Sequence, residues 1–562
     1  MENSATTLNL ASIVSHHARL SPENEAIVWG DVRMTYGQLD AMSNRVANAL
    51  VEMGIGHGDK VALSCPNLPF FPVVYYGILK AGAAVVPMNV LFKSREVAYH
   101  LKDSDAKAVF VFEGTDEFPL SKCVKEAFDE VDTCEHLVLI TKDCLLNNAP
   151  SATTPSAPTS VGTATPPSEG GELNPGPFSE HKTLTQITSD KPETFETYPT
   201  SPSDTCAILY TSGTTGQPKG AELTHLNVMS NVTTTYLIHL PVLDFTDGKQ
   251  KTVLITLPLF HTTGQTVQMN TNIYGGNRIV LLPRFEPKAT LDTMVKEKVN
   301  FWVGVPTMYW ALMKYVEETG YDISRIAESM KVCTSGGAPM PVEVMKAFET
   351  KFNVRVMEGY GLSETSPLAT FNHFEKPSKA GTVGQPIFGV EVKCFDDNDN
   401  EVSPGERGEV VIRGTNVMKG YYKRPEATAE AFRNGWFHTG DIGIMDDEGY
   451  LSIVDRKKDM ILRGGYNIYP RELEEVIITH PAVSLCAVIG VADERLGEEV
   501  KAFVVLKQGA TLTETEFIDW CKDQFAANKY PRHVEFRSEL PIGGTGKIFK
   551  RALREEAAAA SK

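Results

Sequence analysis

The chain has 562 residues, of which 42% are hydrophobic and 22% charged. A chain of this length outgrows one compact core, so two or more domains are expected, and the composition is globular rather than fibrous or disordered. The net charge of −17 disfavours general binding to nucleic acid or to an anionic membrane, while leaving room for a local phosphate site.

The nine cysteines are scattered and form no CxxC pair. That argues against a zinc or redox motif and suits a reducing compartment. The first residues lack the basic and apolar regions of a signal peptide, and no apolar run approaches the length of a membrane span. A cytoplasmic location is expected, with no nucleic-acid partner. A homodimer is compatible with the sequence.

Residues 1–145 alternate helical and extended patterns, as α/β layers do. Short buried strands are predicted over 61–64 and 83–86, with a helix over 70–80 between them. From 147 to 177 the chain is dominated by Ser, Thr, Pro, Ala and Gly. Such a stretch cannot bury enough surface to offset its ordering entropy and reads as a flexible surface insertion.

Strand–turn–helix patterns resume after Asp204. Residues 207–210 form a buried strand entering a polar, Gly-rich turn. Residues 331–334 run into Ser335-Gly336-Gly337, with Pro341 expected at the first position of the next helix. A third strand, 354–357, is expected to end at a turn made by Glu358-Gly359-Tyr360-Gly361. In α/β sheets, ligands bind at the carboxyl ends of strands such as these. Asp446-Asp447-Glu448-Gly449 is a hairpin turn followed by a strand over 450–454. The charged cluster Asp455-Arg456-Lys457-Lys458-Asp459 marks a domain boundary. The rest reads as a small α+β unit: a Glu-rich helix begins at Pro470, and strands cover 485–491 and 502–506. A further helix opens on a Thr513–Glu516 capping box with a Leu512–Phe517 staple. Phe517, Trp520, Cys521 and Phe525 share one face of that helix, as core residues do.

The string Tyr210-Thr-Ser-Gly-Thr-Thr-Gly-Gln-Pro-Lys219-Gly220 carries the clearest chemistry. Hydroxyls and free backbone N–H groups suit phosphate oxygens, and Lys219 adds a cation. An isolated Ser/Thr/Gly run is ordinarily a solvated turn; this one directly follows a buried strand. It is not a P-loop, because Pro218 rather than Gly precedes the lysine, and Gly546-Lys547 fails the same pattern because Ile548 follows.

Together with Gly359-Tyr360-Gly361-Leu362-Ser363-Glu364, Thr439-Gly440-Asp441, Asp455-Arg456-Lys457-Lys458-Asp459 and Gly543-Gly544-Thr545-Gly546-Lys547, that string resembles the ordered motifs of the adenylate-forming superfamily. This superfamily includes acyl-CoA synthetases, luciferases and peptide-synthetase adenylation domains. The resemblance covers nearly the whole chain apart from 147–177. It implies an α/β fold with a large multi-layer N-terminal domain, 1–455, built of α/β sheets plus a small β-barrel. A hinge at 456–458 and a smaller, mobile α+β lid domain, 459–562, would follow. The implied reaction joins a carboxylic acid to ATP as an acyl-adenylate and passes the acyl group to a thiol. ATP, Mg²⁺ and coenzyme A are the implied small-molecule partners.

The same resemblance assigns residues. Thr211, Ser212, Gly213, Thr214, Thr215 and Lys219 would cradle the phosphates. Gly337, Glu358, Gly359, Tyr360 and Ser363 would surround the nucleotide, with Tyr360 stacked on adenine. Glu364 would hold Mg²⁺, which prefers oxygen ligands and bridges phosphates. Asp441 would accept the ribose hydroxyls with Arg456 nearby, and Lys458 would be the hinge. Lys547, on a Gly-rich mobile loop, would stabilise the charge that develops during adenylation. Gly464 and Gly465 would line a pantetheine tunnel, where backbone must approach a narrow chain closely. His261 and Gly264 would border the acyl pocket, and the small residues around them suggest an open one. Residues 459–470 most resemble fatty-acid ligases, and no carrier domain follows Lys547 in this sequence, which points to free CoA. An aryl-acid CoA ligase and a carrier-loading enzyme are the alternatives.

Overall fold

The computed structural model describes residues 6–115, 118–142, 180–211, 217–243, 249–376 and 378–560. The insertion 147–177 and residues 212–216, expected in a phosphate loop, lie outside the described residues.

Two large sheets dominate the first part of the chain. One has nine strands, and its six central members run parallel: Glu25–Trp29, Arg278–Leu281, Thr252–Ile255, Phe301–Gly304, Val332–Ser335 and Val356–Gly361. The second sheet has eight strands and centres on Thr205–Thr211, Ala84–Pro87, Lys60–Ser64 and Ala106–Phe112. Helix Phe70–Lys80 lies where its composition demands: every one of its residues is buried, as expected of a helix apolar on all sides. Its single charge, Lys80, is fully buried and bonds Asp40 at 2.7 Å and Asn44 at 2.6 Å, because a buried ammonium is tolerated only when paired.

A third sheet, antiparallel, contains Val390–Phe395, Arg407–Gly414, Trp436–Met445, Phe432–Arg433 and Leu451–Arg456. The resemblance implies a small barrel in addition to the two large sheets. The strand order of the third sheet is open, and Leu451 is bonded along one side by Val383 and Gly384. The C-terminal part forms a separate α+β unit of five strands with helices Pro470–Ile477, Glu514–Gln524 and Lys550–Ala560. The apolar cores are separate too. The large one includes Leu451 at its C-terminal end, and those of the small unit begin at Ile461.

Two local expectations are corrected. Pro341 caps its helix instead of opening it; the helix spans Val342–Phe352. The string 358–361 is not a turn but the continuation of strand Val356–Gly361, which leaves its parallel neighbour and pairs antiparallel with Leu368–Phe371. Glycine makes that second pairing possible. A methyl group on Gly361 would lie 1.7 Å from the Pro367 carbonyl oxygen, and one on Gly359 would lie 2.7 Å from the Phe371 ring. The capping box Thr513–Glu516 forms as expected.

Candidate active site

The carboxyl ends of the parallel strands converge with three other segments. Strand Val332–Ser335 delivers Gly336 and Gly337, and Gly337 adopts φ +77°. Into the space above Gly337 comes Lys547 of the C-terminal unit: a methyl group on that glycine would sit 3.2 Å from Lys547 Cε and 3.4 Å from Nζ. The lysine's turn is closed by Gly543 N donating to Lys547 O at 2.8 Å and is docked by the Thr307 hydroxyl donating to Gly546 O. Trp310 Nε1 donates to Ser484 Oγ at 3.1 Å across the same junction. Leu257, Pro258, His261, Thr263, Val305 and Thr545 complete the walls around Lys547. The remaining cavity is about 10 Å³, room for about one water.

Charge around Lys547 is arranged by pairing across a hairpin. Strands Trp436–Met445 and Leu451–Arg456 place Asp441 directly opposite Arg456. Arg456 Nε donates to Asp441 Oδ1 at 2.9 Å, and the Tyr360 hydroxyl donates to Asp441 Oδ2 at 2.6 Å. Asp441 is only 3% exposed, so its lone pairs are fixed in direction. Burial first, and then the Arg456 guanidinium, push the Lys547 ammonium down to about 8. Burial, and secondarily Lys547, push His261 down to about 3, so its imidazole is neutral across physiological pH. Thr263 N donates to His261 Nδ1 at 3.2 Å.

Glu364 sits in the short 3₁₀ turn Ser363–Thr365 at the end of strand Val356–Gly361 and is buried. Burial raises its pKa, opposed by the Tyr421 hydroxyl, Arg456 and the Thr211 hydroxyl. Thr211 ends its strand and Lys219 begins the next, the two being directly paired; Ser212, Gly213, Thr214 and Thr215 fall outside the described residues. Glu358 is buried, and desolvation raises it to about 7. One of its carboxylate oxygens accepts from Met340 N at 3.3 Å. Among the described residues no cluster of three or more His, Cys, Asp or Glu side chains is placed to hold a metal. The buried Glu364 carboxylate has the oxygen donors that a magnesium ion beside substrate phosphates would take.

Some candidates lie elsewhere. Gly464 and Gly465, with φ +57° and +83°, form the two-residue turn between strands Ile461–Arg463 and Tyr466–Ile468. Both are exposed, and neither lines the Lys547 cavity. Lys458 is exposed in the turn after Arg456. Gly264 lies in the π-helix Thr263–Asn270, and a methyl group on it would lie 2.2 Å from the Pro258 carbonyl oxygen. Its smallness serves backbone packing. Gly264→Ala is accordingly expected to destabilise the protein by about 3 kcal/mol, the upper end for overpacking, measured as a lower denaturant midpoint. The sequence pattern did not point to Val305, Thr307, Trp310 or Tyr421, because none belongs to a chemically distinctive string.

The family model described as AMP-binding enzyme matches residues 14–422, and that of the AMP-binding enzyme C-terminal domain matches 472–547. A long-chain-fatty-acid–CoA ligase of Bacillus subtilis (strain 168) is 36% identical over 97% of this chain and 94% of its own. A feruloyl-CoA synthase of an Amycolatopsis species is 34% identical over 97% of this chain and 98% of its own. Among solved structures, ATP-bound MatB from Rhodopseudomonas palustris superposes with a TM-score of 0.82 at 29% identity, covering 99% of this chain and 100% of that one. Against the apo form of the same protein, at equal coverage, the TM-score is 0.73. The arrangement described here is therefore nearer the ATP-bound form.

Proposed function

Since this chain belongs to the AMP-binding enzyme family, we propose that it is a fatty-acid–CoA ligase that runs both half-reactions with the residues gathered around Lys547. In the first, carboxylate and ATP give acyl-adenylate and pyrophosphate. In the second, acyl-adenylate and CoA give acyl-CoA and AMP. The observation that carries this reading is the entry of Lys547 from one unit into a site built by the other, beside Gly337, Asp441 and Arg456.

The residues divide the work. Asp441, held by Arg456 and Tyr360, offers oriented acceptors to a ribose diol. Lys547 places a cation where negative charge builds as the carboxylate attacks the α-phosphate, in a site with little water to reorganise. Thr211 and Lys219 flank the triphosphate. Glu364 would hold Mg²⁺, whose charge would offset that of the phosphates. Neutral His261 and the walls Leu257, Pro258 and Thr263 border the carboxylate end of the acid.

For the thiol step, the lid of residues 459–562 turns about Lys458 within the hinge 456–458. Lys547 then leaves, and the Gly464–Gly465 turn replaces it beside the pantetheine. The fatty-acid preference draws support from the long-chain ligase relative, whereas the feruloyl-CoA synthase favours an aromatic acid. A pyrophosphate-release screen over short, medium, long and aromatic acids, with and without CoA, separates the two. Release with long-chain acids and CoA is expected. Turnover confined to aromatic acids would replace the fatty-acid reading, and no carboxylate-dependent release would end the ligase reading.

A further inference from the structure

Glu364 and Lys219 come from different segments, and one side chain touches both. The two-residue strand Gly420–Tyr421 pairs antiparallel with Lys219–Thr224, setting Gly420 opposite Glu222 and Tyr421 opposite Ala221. From that position the Tyr421 hydroxyl donates to Glu364 Oε1 at 3.0 Å. The Lys219 ammonium lies 5.2 Å from the centroid of the same ring, within cation–π range.

The backbone around Tyr421 is clamped on every side. Met418 N donates to Glu364 O at 2.8 Å, Tyr422 N to Gly220 O at 2.8 Å, and Tyr421 N to Thr428 Oγ1 at 2.9 Å. These bonds fix the backbone from which the half-buried Tyr421 side chain reaches its two neighbours. A carboxylate otherwise rotates about its last bond, whereas magnesium demands near-octahedral geometry. Groups that bond a metal ligand from behind typically change metal affinity by about 10–100-fold.

We propose that Tyr421 is a positioning residue for adenylation: its hydroxyl orients the Glu364 carboxylate toward the divalent cation, and its ring seats the Lys219 ammonium beside the phosphates. This rests on the reading above that Glu364 holds the metal and Lys219 the phosphates. Two functions in one side chain can be separated by two substitutions. Tyr421→Phe keeps the ring and loses the hydroxyl; Tyr421→Leu loses both.

The test is calorimetric titration of the full-length protein with a non-hydrolysable ATP analogue, in EDTA and in Mn²⁺. Wild type, Tyr421→Phe, Tyr421→Leu and Glu364→Gln are compared, with electron paramagnetic resonance of the bound Mn²⁺ as a second readout. Tyr421→Phe should weaken the Mn²⁺–analogue complex roughly tenfold and broaden the Mn²⁺ spectrum, while leaving metal-free binding unchanged. Tyr421→Leu should weaken both. In turnover, Tyr421→Phe should raise the Mg²⁺ concentration needed for half-maximal rate and recover kcat at saturating Mg²⁺. If Tyr421→Phe binds Mn²⁺–analogue like wild type while Glu364→Gln does not, the proposal is overturned. Equal losses with and without metal for Tyr421→Phe would reduce Tyr421 to packing and overturn it as well. If Glu364→Gln shows no metal effect, the metal assignment itself falls and takes the proposal with it.

Discussion

Lys547→Ala is expected to slow acyl-adenylate formation by about 10²–10³-fold, the usual loss when one charge-stabilising group is removed from a dry site. Thioester formation from supplied acyl-adenylate should stay near the wild-type rate. The asymmetry follows from geometry. Lys547 lies over Gly337, and the proposed thiol step does not use it there. Single-turnover measurements of each half-reaction check this, and equal loss in both would contradict a lysine that serves only one. A pH dependence accompanies it. The ammonium is pushed down to about 8, so it is charged below that pH and neutral above it. In the free enzyme, kcat/KM for adenylation should therefore fall as pH rises through about 8. Lys547→Ala should abolish that limb along with most of the rate. His261, pushed down to about 3, should contribute no limb between pH 5 and 9.

Glu364→Gln should be nearly as damaging, lowering adenylation by about 10²-fold or more. The substitution preserves volume and can still accept from Tyr421, so the fold should survive. What is lost is the negative charge, which the site holds at a desolvation cost that a bound divalent cation would offset. Pyrophosphate release measured against Mg²⁺ concentration is the check. The midpoint should move upward in the variant, and an unmoved midpoint would show that Glu364 holds no metal.

Much of this protein is legible in its sequence. The strand–turn–helix rhythm announced α/β layers, and the buried helix Phe70–Lys80 was readable to the residue because its apolar run has no polar face. The strands ending at Thr211, Ser335 and Gly361 were located to within a few residues. The expected turn at 358–361 was misread for a physical reason. Glycines usually break strands; here they permit a second, antiparallel neighbour to approach at distances that any side chain would block. At Gly264 the backbone itself requires a small residue, because the Pro258 carbonyl occupies the direction a side chain would take.

The sequence by itself determined the chemistry available, because a hydroxyl-rich string, a strand-end carboxylate and a lysine on a glycine-rich loop are local features. Its length also implied more than one core, and the apolar cores are indeed separate. Only the tertiary structure decided which groups meet. Asp441 faces Arg456 through cross-strand register, and Tyr421 reaches both Glu364 and Lys219 through a two-residue pairing. Lys547 reaches Gly337, 210 positions earlier in the chain, through docking of one unit on another. Such contacts depend on register and on packing between distant segments, which no local pattern of residues encodes.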